Sequence, residues 1–339
     1  MNKKPQITKK SPQQLIRPEI QALSAYHVPD PGNLIKLDAM ENPYTWPEEM
    51  VQEWLQHMRD VSINRYPDPS ARQLSKSLRE AFSVPESMEV LLGNGSDELI
   101  QMIAMAVAEK DRVILAPQPS FVMYEMIAKF AGMQFVGVPL NSDNFNLDMQ
   151  AMQQAIDKHQ PAVIFLAYPN NPTGNLFAEE QVREIIEQAP GLVVVDEAYA
   201  SFAEHSFMST LGEYDNLLVM RTVSKMGLAG LRLGLLAGPK EWLHEIDKVR
   251  LPYNINVLTQ KSAVFALKHK QVLDQQTRAI CEEREKMCRK LQENKGLEPY
   301  PSQANIILFR CVHGKANEIV ESVLEGGDLS KNMNSSGGG

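Results

Sequence analysis

The chain has 339 residues, 43% of them hydrophobic, which is enough for one large domain, a smaller one and a sizeable core. Its formal net charge of -8 leaves no basic surplus to neutralise the phosphates of a nucleic acid or a membrane surface. The sequence contains no apolar run typical of a signal peptide, and none that approaches the roughly 20 residues needed to span a bilayer, so a soluble cytoplasmic protein is expected.

The cysteines indicate neither a disulfide framework nor a metal site. There are three of them, Cys281, Cys288 and Cys311, and no two form a C-x-x-C pair. An odd number of such thiols fits a reduced compartment such as the cytoplasm. Cys281 and Cys288 lie seven residues apart in a charged helical stretch, and we expect them to pack rather than to bind a metal or take part in redox chemistry.

The first 45 residues are irregular and rich in proline, and residues 1–45 are predicted to form an N-terminal arm and part of a small domain. From about residue 88, short apolar runs alternate with helix-like segments, which predicts a mostly parallel sheet covered by helices. The predicted strands are 112–116, 134–138, 162–167, 192–195, 217–221 and 233–237, and the predicted helices between them are 98–108, 124–131 and 179–188. Residues 46–260 are therefore predicted to form a large α/β domain.

The rest of the chain has a different pattern. Residues 257–291 are typical of one long, charged, amphipathic helix, and residues 305–309 are typical of a strand. Residues 261–339 are predicted to join the N-terminal arm in a small α+β domain built from both chain ends. Residues 335–339 are only serine and glycine, a composition that predicts a flexible tail.

Lys225 follows a hydrophobic predicted strand and runs on into Gly227, Gly230 and Arg232. A lysine in a largely desolvated site has a lowered pKa, and its neutral amine can condense with an aldehyde. Taken alone, Lys225 is more readily interpreted as an exposed lysine after a strand. Its neighbours favour a chemical role.

Two nearby features predict a phosphate site. Ser224 and Arg232 can both place donors around one phosphate close to Lys225. Residues 93–97, Gly-Asn-Gly-Ser-Asp, form a glycine-rich turn into a predicted helix, and a helix N-terminus is a ready anion site. By itself this turn is a weak motif. A dinucleotide-binding fingerprint would need a small residue where Glu98 stands, so that interpretation fails.

Further polar residues follow the predicted strands. Asp196 closes a very apolar run, at the strand end where α/β sheets bind ligands, and Tyr199 follows three residues later. Asp196 is as readily a helix N-cap. Residues 168–174, which include Asn171, form a rigid proline-containing turn that is also compatible with no function. Phe121 can stack on a cofactor ring or pack in the core.

Together these motifs resemble the class II aminotransferases of pyridoxal 5′-phosphate (PLP) fold type I. The resemblance rests on residues 171–174 (Asn-Pro-Thr-Gly), 196–199 (Asp-Glu-Ala-Tyr) and 224–232, in that order and at those separations. The chain is similar in particular to the histidinol-phosphate aminotransferase family from about residue 17 to about residue 334. The more specific matches are residues 37–44, 65–69, 95–98 and 224–230.

The resemblance implies an α/β fold whose large domain has a mostly parallel seven-stranded sheet, PLP as cofactor, and histidinol phosphate and glutamate as small-molecule substrates. It implies that Lys225 attaches the cofactor and moves the proton between the substrate Cα and the cofactor C4′. The remaining implied contacts are Asp196 at the pyridine nitrogen, Asn171 and Tyr199 at the phenolic oxygen, Phe121 on the ring face, and Ser96, Asp97, Ser224, Arg232 and Tyr66 at the phosphate.

In this family the phosphate-binding tyrosine comes from the partner subunit, so the match at Tyr66 implies a homodimer. Tyr26 and Asn42 match positions that face the substrate, although both are equally compatible with ordinary loop residues. No nucleic-acid or membrane partner is expected.

One expected element is missing. The family's small domain continues through a strand carrying an arginine that binds the substrate's carboxylate or phosphate, and no such segment is found here. Asp328 and Ser330 stand where alternating apolar residues are expected, and burying such groups usually costs a few kcal/mol. The small domain is therefore expected to be incomplete.

Two alternatives remain at this stage. One is another class II PLP enzyme, either an aromatic aminotransferase or a threonine-phosphate decarboxylase, since these share most cofactor residues. The other is a protein that binds PLP but is catalytically impaired, because the substrate-binding arginine is not found while the residues expected to hold the cofactor are all present.

Overall fold

The computed structural model describes residues 9–26, 28–312, 314 and 316–333. The predicted tail at 335–339 lies outside the described residues. The strands are β1 (Ile35–Lys36), β2 (Glu89–Gly93), β3 (Val113–Gln118), β4 (Gln134–Pro139), β5 (Val163–Ala167), β6 (Leu192–Asp196), β7 (Leu217–Thr222), β8 (Gly234–Gly238), β9 (Leu297–Pro299), β10 (Phe309–Cys311) and β11 (Asp328–Leu329).

The helices lie between these strands and at both ends of the described chain. They are α1 (Pro12–Leu15), α2 (Pro18–Gln21), α3 (Glu48–Arg59), α4 (Arg72–Ala81), α5 (Ser96–Val107), α6 (Met123–Ala131), α7 (Met149–His159), α8 (Glu179–Gln188), α9 (Lys240–Asp247), α10 (Val257–Lys268), α11 (Lys270–Glu293) and α12 (Ala316–Glu325). Among the described residues, no helix is both long and apolar enough to cross a membrane.

Seven strands form one sheet in the order β2-β8-β7-β6-β5-β3-β4. The strands from β4 to β7 in this order run parallel, whereas β8 is antiparallel to both of its neighbours. The strand order reverses between β3 and β5, because β4 lies on one side of β3 and the later strands lie on the other. Such a reversal opens a crevice at the carboxyl ends of the strands, which is where α/β sheets bind ligands.

The sheet is buried on both faces because its central strands are apolar without alternation. In β6, Val193 and Val195 belong to one hydrophobic cluster and Leu192 and Val194 to the other. Helices α4, α7, α8 and α10 contribute to the first cluster, and α5, α6 and α9 to the second. Each buried Val or Leu contributes about 1.5–3 kcal/mol, so these two layers hold the strand ends rigidly.

The six predicted strands are confirmed, as are the three predicted helices and the mostly parallel sheet. The prediction of one helix over 257–291 is wrong, because His269 leaves helical geometry with ψ of 26° and separates α10 from α11. The predicted strand at 305–309 is also wrong. Only Phe309 of that run belongs to β10, which pairs with β9, while the Asn305 side chain donates to the Met40 carbonyl.

The two ends of the described chain meet, as predicted for the small domain. Strand β1 pairs in parallel with β11, with Ile35 opposite Asp328 and Lys36 opposite Leu329. The carbonyls of Gly327 and Leu329, on either side of Asp328, accept hydrogen bonds from the Ile35 and Leu37 amides, so Asp328 lies in a two-stranded sheet. The domain boundaries at residues 45 and 260 stay predictions.

Candidate active site

A cleft opens at the carboxyl ends of β3, β5, β6 and β7, next to the N-terminus of α5. Four short segments after these strands and the start of the helix supply its walls, so residues that are far apart in sequence converge there. Nine of the residues singled out from the sequence line this one cleft: Ser96, Asp97, Phe121, Asn171, Asp196, Tyr199, Ser224, Lys225 and Arg232.

Lys225 lies in a wide, π-helical turn, Ser224–Leu228, that begins two residues after the end of β7. Its Nζ donates a hydrogen bond of 2.8 Å to the carbonyl oxygen of Ala39 and lies 5.5 Å from the centre of the Tyr199 ring. Burial lowers the pKa of Lys225, and the nearby charge of Glu41 opposes that shift. The side chain is thus partly buried rather than exposed, and its amine is more easily deprotonated than that of an ordinary lysine.

Asp196 is the last residue of β6 and only 3% of it is exposed. Its Oδ2 accepts a hydrogen bond of 2.7 Å from the Tyr124 hydroxyl, and its Oδ1 accepts one of 3.0 Å from the Ala198 amide. Burial raises the pKa of Asp196 to about 6, while these two hydrogen bonds act in the opposite direction. The carboxylate is not a helix N-cap, because the next helical turn begins only at Ala200. Its Oδ1 instead closes a turn with the Ala198 amide, and with a pKa of about 6 the carboxyl group is mostly ionised at neutral pH.

The glycine-rich turn at residues 93–97 leads into a helix, as predicted. Gly95 has φ of 87° and directly precedes α5, whose first backbone amides have no partner within the helix. Arg232 reaches this end of the helix, with its Nη2 3.3 Å from the Asp97 carboxylate. A Cβ on Gly95 would lie 2.6 Å from Arg232 Nη2, and a Cβ on Gly234 would lie 2.8 Å from the Ser96 amide nitrogen. The two glycines therefore let the guanidinium and the helix end approach closely.

Ser224, on the segment after β7, lines the same cleft as Ser96, Asp97 and Arg232. Its hydroxyl is 2.8 Å from the hydroxyl of Thr222, which in turn donates to the Leu233 carbonyl. Both serine and threonine are buried. The Ser224 hydroxyl is thus held by Thr222 before any ligand binds.

The segment after β5 is fixed by a buried amide next to Asn171. The Asn170 side chain donates to the Pro119 carbonyl and to the Thr173 hydroxyl, at 3.0 and 2.7 Å. The bond to Pro119 ties the turn after β5 to the segment after β3, which carries Phe121, and the bond to Thr173 closes the turn itself. Burial raises the pKa of the Tyr199 phenol, so this hydroxyl stays protonated and is able to donate.

Three predicted residues are not brought to the cleft within this chain. Tyr66 is 80% exposed and stacks on Tyr253 with 4.4 Å between ring centres, and Tyr26 is also exposed. The Asn42 side chain donates to Gln276 and accepts from the Tyr44 amide. Their predicted contacts with cofactor or substrate therefore stay predictions.

Sequence reasoning missed two side chains that bear on the site, Tyr124 and Thr222. Tyr124 follows Phe121 by three residues, so a helical reading of this segment puts the two side chains on the same face. Nothing in the sequence links Tyr124 to Asp196, 72 residues away. Thr222 ends β7, one residue beyond the predicted strand, and lies two residues before Ser224. Alternation along a strand places residues two apart on one face.

The arrangement suits a small molecule with three kinds of group. A neutral amine at Lys225 is able to attack an aldehyde, a buried carboxylate at Asp196 is able to pair with a basic ring nitrogen, and the start of α5 with Arg232 is able to hold an anion. Phe121 adds an aromatic face. All of these groups converge in the same cleft.

Comparison with known proteins agrees with this geometry. The family model for class I and II aminotransferases matches residues 32–328. The chain is 56% identical over 332 residues to histidinol-phosphate aminotransferase 2 of Nitrosococcus oceani, covering 98% of this chain and 92% of the relative. It is 52% identical to the protein of that name from Cupriavidus pinatubonensis, covering 88% of this chain and 82% of the relative. The solved histidinol-phosphate aminotransferase of Sinorhizobium meliloti, in complex with PLP, has the same fold, with a TM-score of 0.82 at 23% identity over 94% of this chain and 89% of that one.

Proposed function

The chain belongs to the class I and II aminotransferase family, and from this membership we propose that it exchanges an amino group between histidinol phosphate and 2-oxoglutarate, with PLP as cofactor. The products are imidazole-acetol phosphate and glutamate, and the reaction is reversible. The substrate assignment rests on the 56% identity, over nearly the whole chain, to a protein named histidinol-phosphate aminotransferase. The names of other curated relatives agree with it.

The residues of the cleft fit PLP group by group. Lys225 provides a desolvated amine for the aldehyde, and Asp196 provides a buried carboxylate for the pyridine nitrogen. Gly95, directly before α5, lets the Arg232 guanidinium come close to the helix end, which suits a phosphate held there by backbone amides and a cation. When bound, PLP supplies an electron sink for the negative charge that develops at the substrate Cα.

We assign the following roles to the residues of this chain. Lys225 attaches the cofactor through its amine and, when released, moves a proton between the substrate Cα and the cofactor C4′, a step in which general acid–base catalysis contributes about 10² to 10⁴-fold. Asp196 holds the proton at the pyridine nitrogen. Asn171 and Tyr199 orient the phenolic oxygen, and Phe121 covers one face of the ring.

The phosphate of PLP is assigned to the start of α5 and the polar side chains that face it. The backbone amides of Ser96 and Asp97, the Ser224 hydroxyl and the Arg232 guanidinium are its proposed donors. Arg232 pairs with the Asp97 carboxylate in the structure, so the phosphate would compete with Asp97 for this guanidinium. Tyr66 of the partner subunit is the fifth proposed donor, whereas Tyr26 and Asn42 are proposed to face the substrate.

A homodimer is part of this proposal, and an apolar surface supports it. Ile63, Tyr66, Leu251 and Tyr253 are all exposed. The stacked pair Tyr66–Tyr253 joins the two segments that carry them. Exposed apolar clusters of this kind mark interaction sites.

The three free thiols among the described residues fit the cytoplasmic location that we also propose.

The proposal is tested by steady-state assays of the purified full-length protein with PLP. We expect turnover of histidinol phosphate with 2-oxoglutarate at a kcat/KM at least about tenfold above that for phenylalanine or tyrosine, which corresponds to about 1.4 kcal/mol of transition-state discrimination. Faster turnover of the aromatic amino acids would overturn the substrate assignment. Release of CO2 from threonine phosphate would indicate the decarboxylase instead.

A further inference from the structure

The buried phenol of Tyr124 contacts two of the groups assigned to the cofactor. Tyr124 lies in the first turn of α6 and is fully buried. Its hydroxyl lies 2.7 Å from Asp196 Oδ2. Its ring stacks on Phe165, with 4.7 Å between ring centres and 9° between the planes, and meets the Phe121 ring edge-on at 5.6 Å.

We propose that Tyr124 is a positioning residue of this enzyme: its hydroxyl fixes the direction of the Asp196 carboxylate, and its ring supports Phe121. The inference rests on the proposed function, because it matters only if Asp196 meets the pyridine nitrogen and Phe121 covers the ring. Tyr124 lines no part of the cleft, so it acts through these two side chains.

The geometry explains why the hydroxyl matters. Asp196 Oδ1 is held by the Ala198 amide and Oδ2 by Tyr124, so one donor at each oxygen fixes the plane of the carboxylate. Without the phenol, only the Ala198 amide holds the carboxylate. Rotation about the Cβ–Cγ bond has a broad energy minimum, so the carboxylate plane is then less well fixed. Hydrogen bonds to a charged carboxylate are among the stronger ones in proteins, because the acceptor carries a full charge.

The charge of Asp196 is set by several groups besides Tyr124. Those that face it or share its cleft are Asp97 from α5, Glu197 and Tyr199 from the segment after β6, and Lys225 and Arg232 from the segment after β7. Burial raises the pKa of Asp196, and Asp97 and Glu197 raise it further, whereas the Tyr124 hydrogen bond lowers it. Loss of the phenol hydroxyl therefore raises this pKa above about 6, and Asp196 loses its charge at a higher pH.

The variant Tyr124→Phe tests the proposal, because phenylalanine keeps the stacking on Phe165 and removes only the hydroxyl. PLP binding is measured on the cofactor-stripped full-length protein between pH 5 and 8. At pH 7 we expect the dissociation constant to rise about tenfold, because a carboxylate that is less firmly held and more easily protonated pairs more weakly with the ring nitrogen. The decline of affinity on the acid side should begin at a higher pH than in the unmodified protein, while a near-native circular dichroism spectrum is retained.

A second measurement follows transamination by the same variant. We expect kcat for histidinol phosphate to fall about tenfold with less than a twofold change in KM, because Tyr124 does not touch the substrate. The proposal would be overturned if the dissociation constant for PLP stayed within twofold of that of the unmodified protein at every pH between 5 and 8. Tyr214→Phe is the matched control: its hydroxyl bonds Arg183 and Glu187 away from the cleft, and its loss should change neither quantity.

A double-mutant cycle separates a positioning role from a general loss of packing. In the background Asp196→Asn, the further change Tyr124→Phe should alter PLP affinity by less than about twofold, since the group through which it acts has lost its charge. A full tenfold effect in that background would show that Tyr124 does not act through Asp196. If the unmodified protein fails to turn over histidinol phosphate, the proposed function fails; if it succeeds and Tyr124→Phe behaves identically, only the positioning role fails.

Discussion

Burial and hydrogen bonding act in opposite directions on Asp196. Removing the carboxylate from water raises its pKa, and the bonds from Tyr124 and Ala198 recover part of that cost. A buried carboxylate kept ionised at neutral pH is poised to meet a cation. In the proposed function that cation is the protonated ring nitrogen of PLP.

The cost of this charge predicts a trade-off at Asp196. Its pKa is raised from an ordinary value of 3.8 to about 6, so the folded cofactor-free protein binds this proton more tightly than the unfolded chain. Ionised Asp196 therefore destabilises the fold above pH 6, by on the order of 3 kcal/mol, and this cost disappears as the pH falls towards 4. Asp196→Asn should raise the free energy of unfolding of the cofactor-free protein at pH 7.5, but not at pH 4, while weakening PLP binding.

Denaturant titrations at the two pH values check this expectation. An equal effect of Asp196→Asn at pH 4 and pH 7.5 would show that ionisation is not its cause. A destabilised variant at pH 7.5 would contradict the sign of the predicted effect.

At the scale of elements, the approach of β8 to the start of α5 is set by glycine. Gly234 opens β8, and a Cβ there would lie 2.8 Å from backbone atoms of Gly95 and Ser96. Backbone atoms cannot swing away as a flexible side chain does, so the strand and the helix end would have to separate. The amides proposed to hold the phosphate would move with that helix end.

Gly234→Ala should therefore destabilise the protein by about 1–3 kcal/mol and weaken PLP binding. Gly230→Ala is the matched control, since an added Cβ there meets nothing within 4 Å. Thermal melts and PLP titrations of both variants give the comparison. Equal behaviour of the two variants would contradict the close packing of β8 against α5.

A buried ion pair joins the segment after β6 to β7. Arg221 Nη2 lies 2.7 Å from Glu197 Oε2, and the Glu197 side chain is fully buried. Glu197 follows Asp196 directly, and Arg221 precedes Lys225 by four residues. The pair thus holds together two segments that carry cofactor residues.

Arg221→Met should cost about 3–5 kcal/mol of stability, because it leaves the Glu197 carboxylate buried without its cation. Lys248→Ala breaks the exposed pair Lys248–Glu245 and should cost less than about 1 kcal/mol. Urea denaturation of the three proteins measures both effects. A small loss in Arg221→Met would indicate that Ser206 and the Phe207 amide suffice to satisfy Glu197.

The sequence predicts the strands of this sheet well because each is a short apolar run with a clear end. It also predicts the cleft residues, since they follow those runs at the carboxyl ends where a parallel sheet gathers them. The break at His269 is not predicted, because no glycine or proline interrupts the helical pattern there. The Tyr124–Asp196 contact depends on how α6 packs against β3 and β4, near the end of β6, which no local pattern specifies.

For the whole molecule, the exposed ring of Tyr66 leads to a prediction about a site shared between two subunits. In this chain the ring of Tyr66 lies outside the cleft, stacked on Tyr253. If Tyr66 of one subunit binds in the cleft of the partner subunit, a subunit with Lys225→Ala still supplies an intact Tyr66 to the cleft of its partner. A Tyr66→Phe subunit still supplies its lysine to its own site.

Mixed dimers of these two variants should then contain one intact site each. Co-expression at equal amounts predicts recovery of about a quarter of the unmodified activity, provided subunits assemble randomly in a two-fold dimer. The activity of each variant alone is the baseline, and analytical ultracentrifugation checks that both form dimers. Recovery no greater than the average of the two variants alone would contradict the shared site.

The absorption spectrum of the PLP-loaded protein, followed after histidinol phosphate is added, tests both cofactor attachment and transamination. We expect a band of lysine-bound PLP that is absent in Lys225→Ala, and we expect histidinol phosphate to convert it within seconds, in keeping with typical turnover of 1–10³ per second. 2-Oxoglutarate should then restore the band. A band that histidinol phosphate leaves unchanged would contradict the account and indicate a protein that binds PLP without transamination.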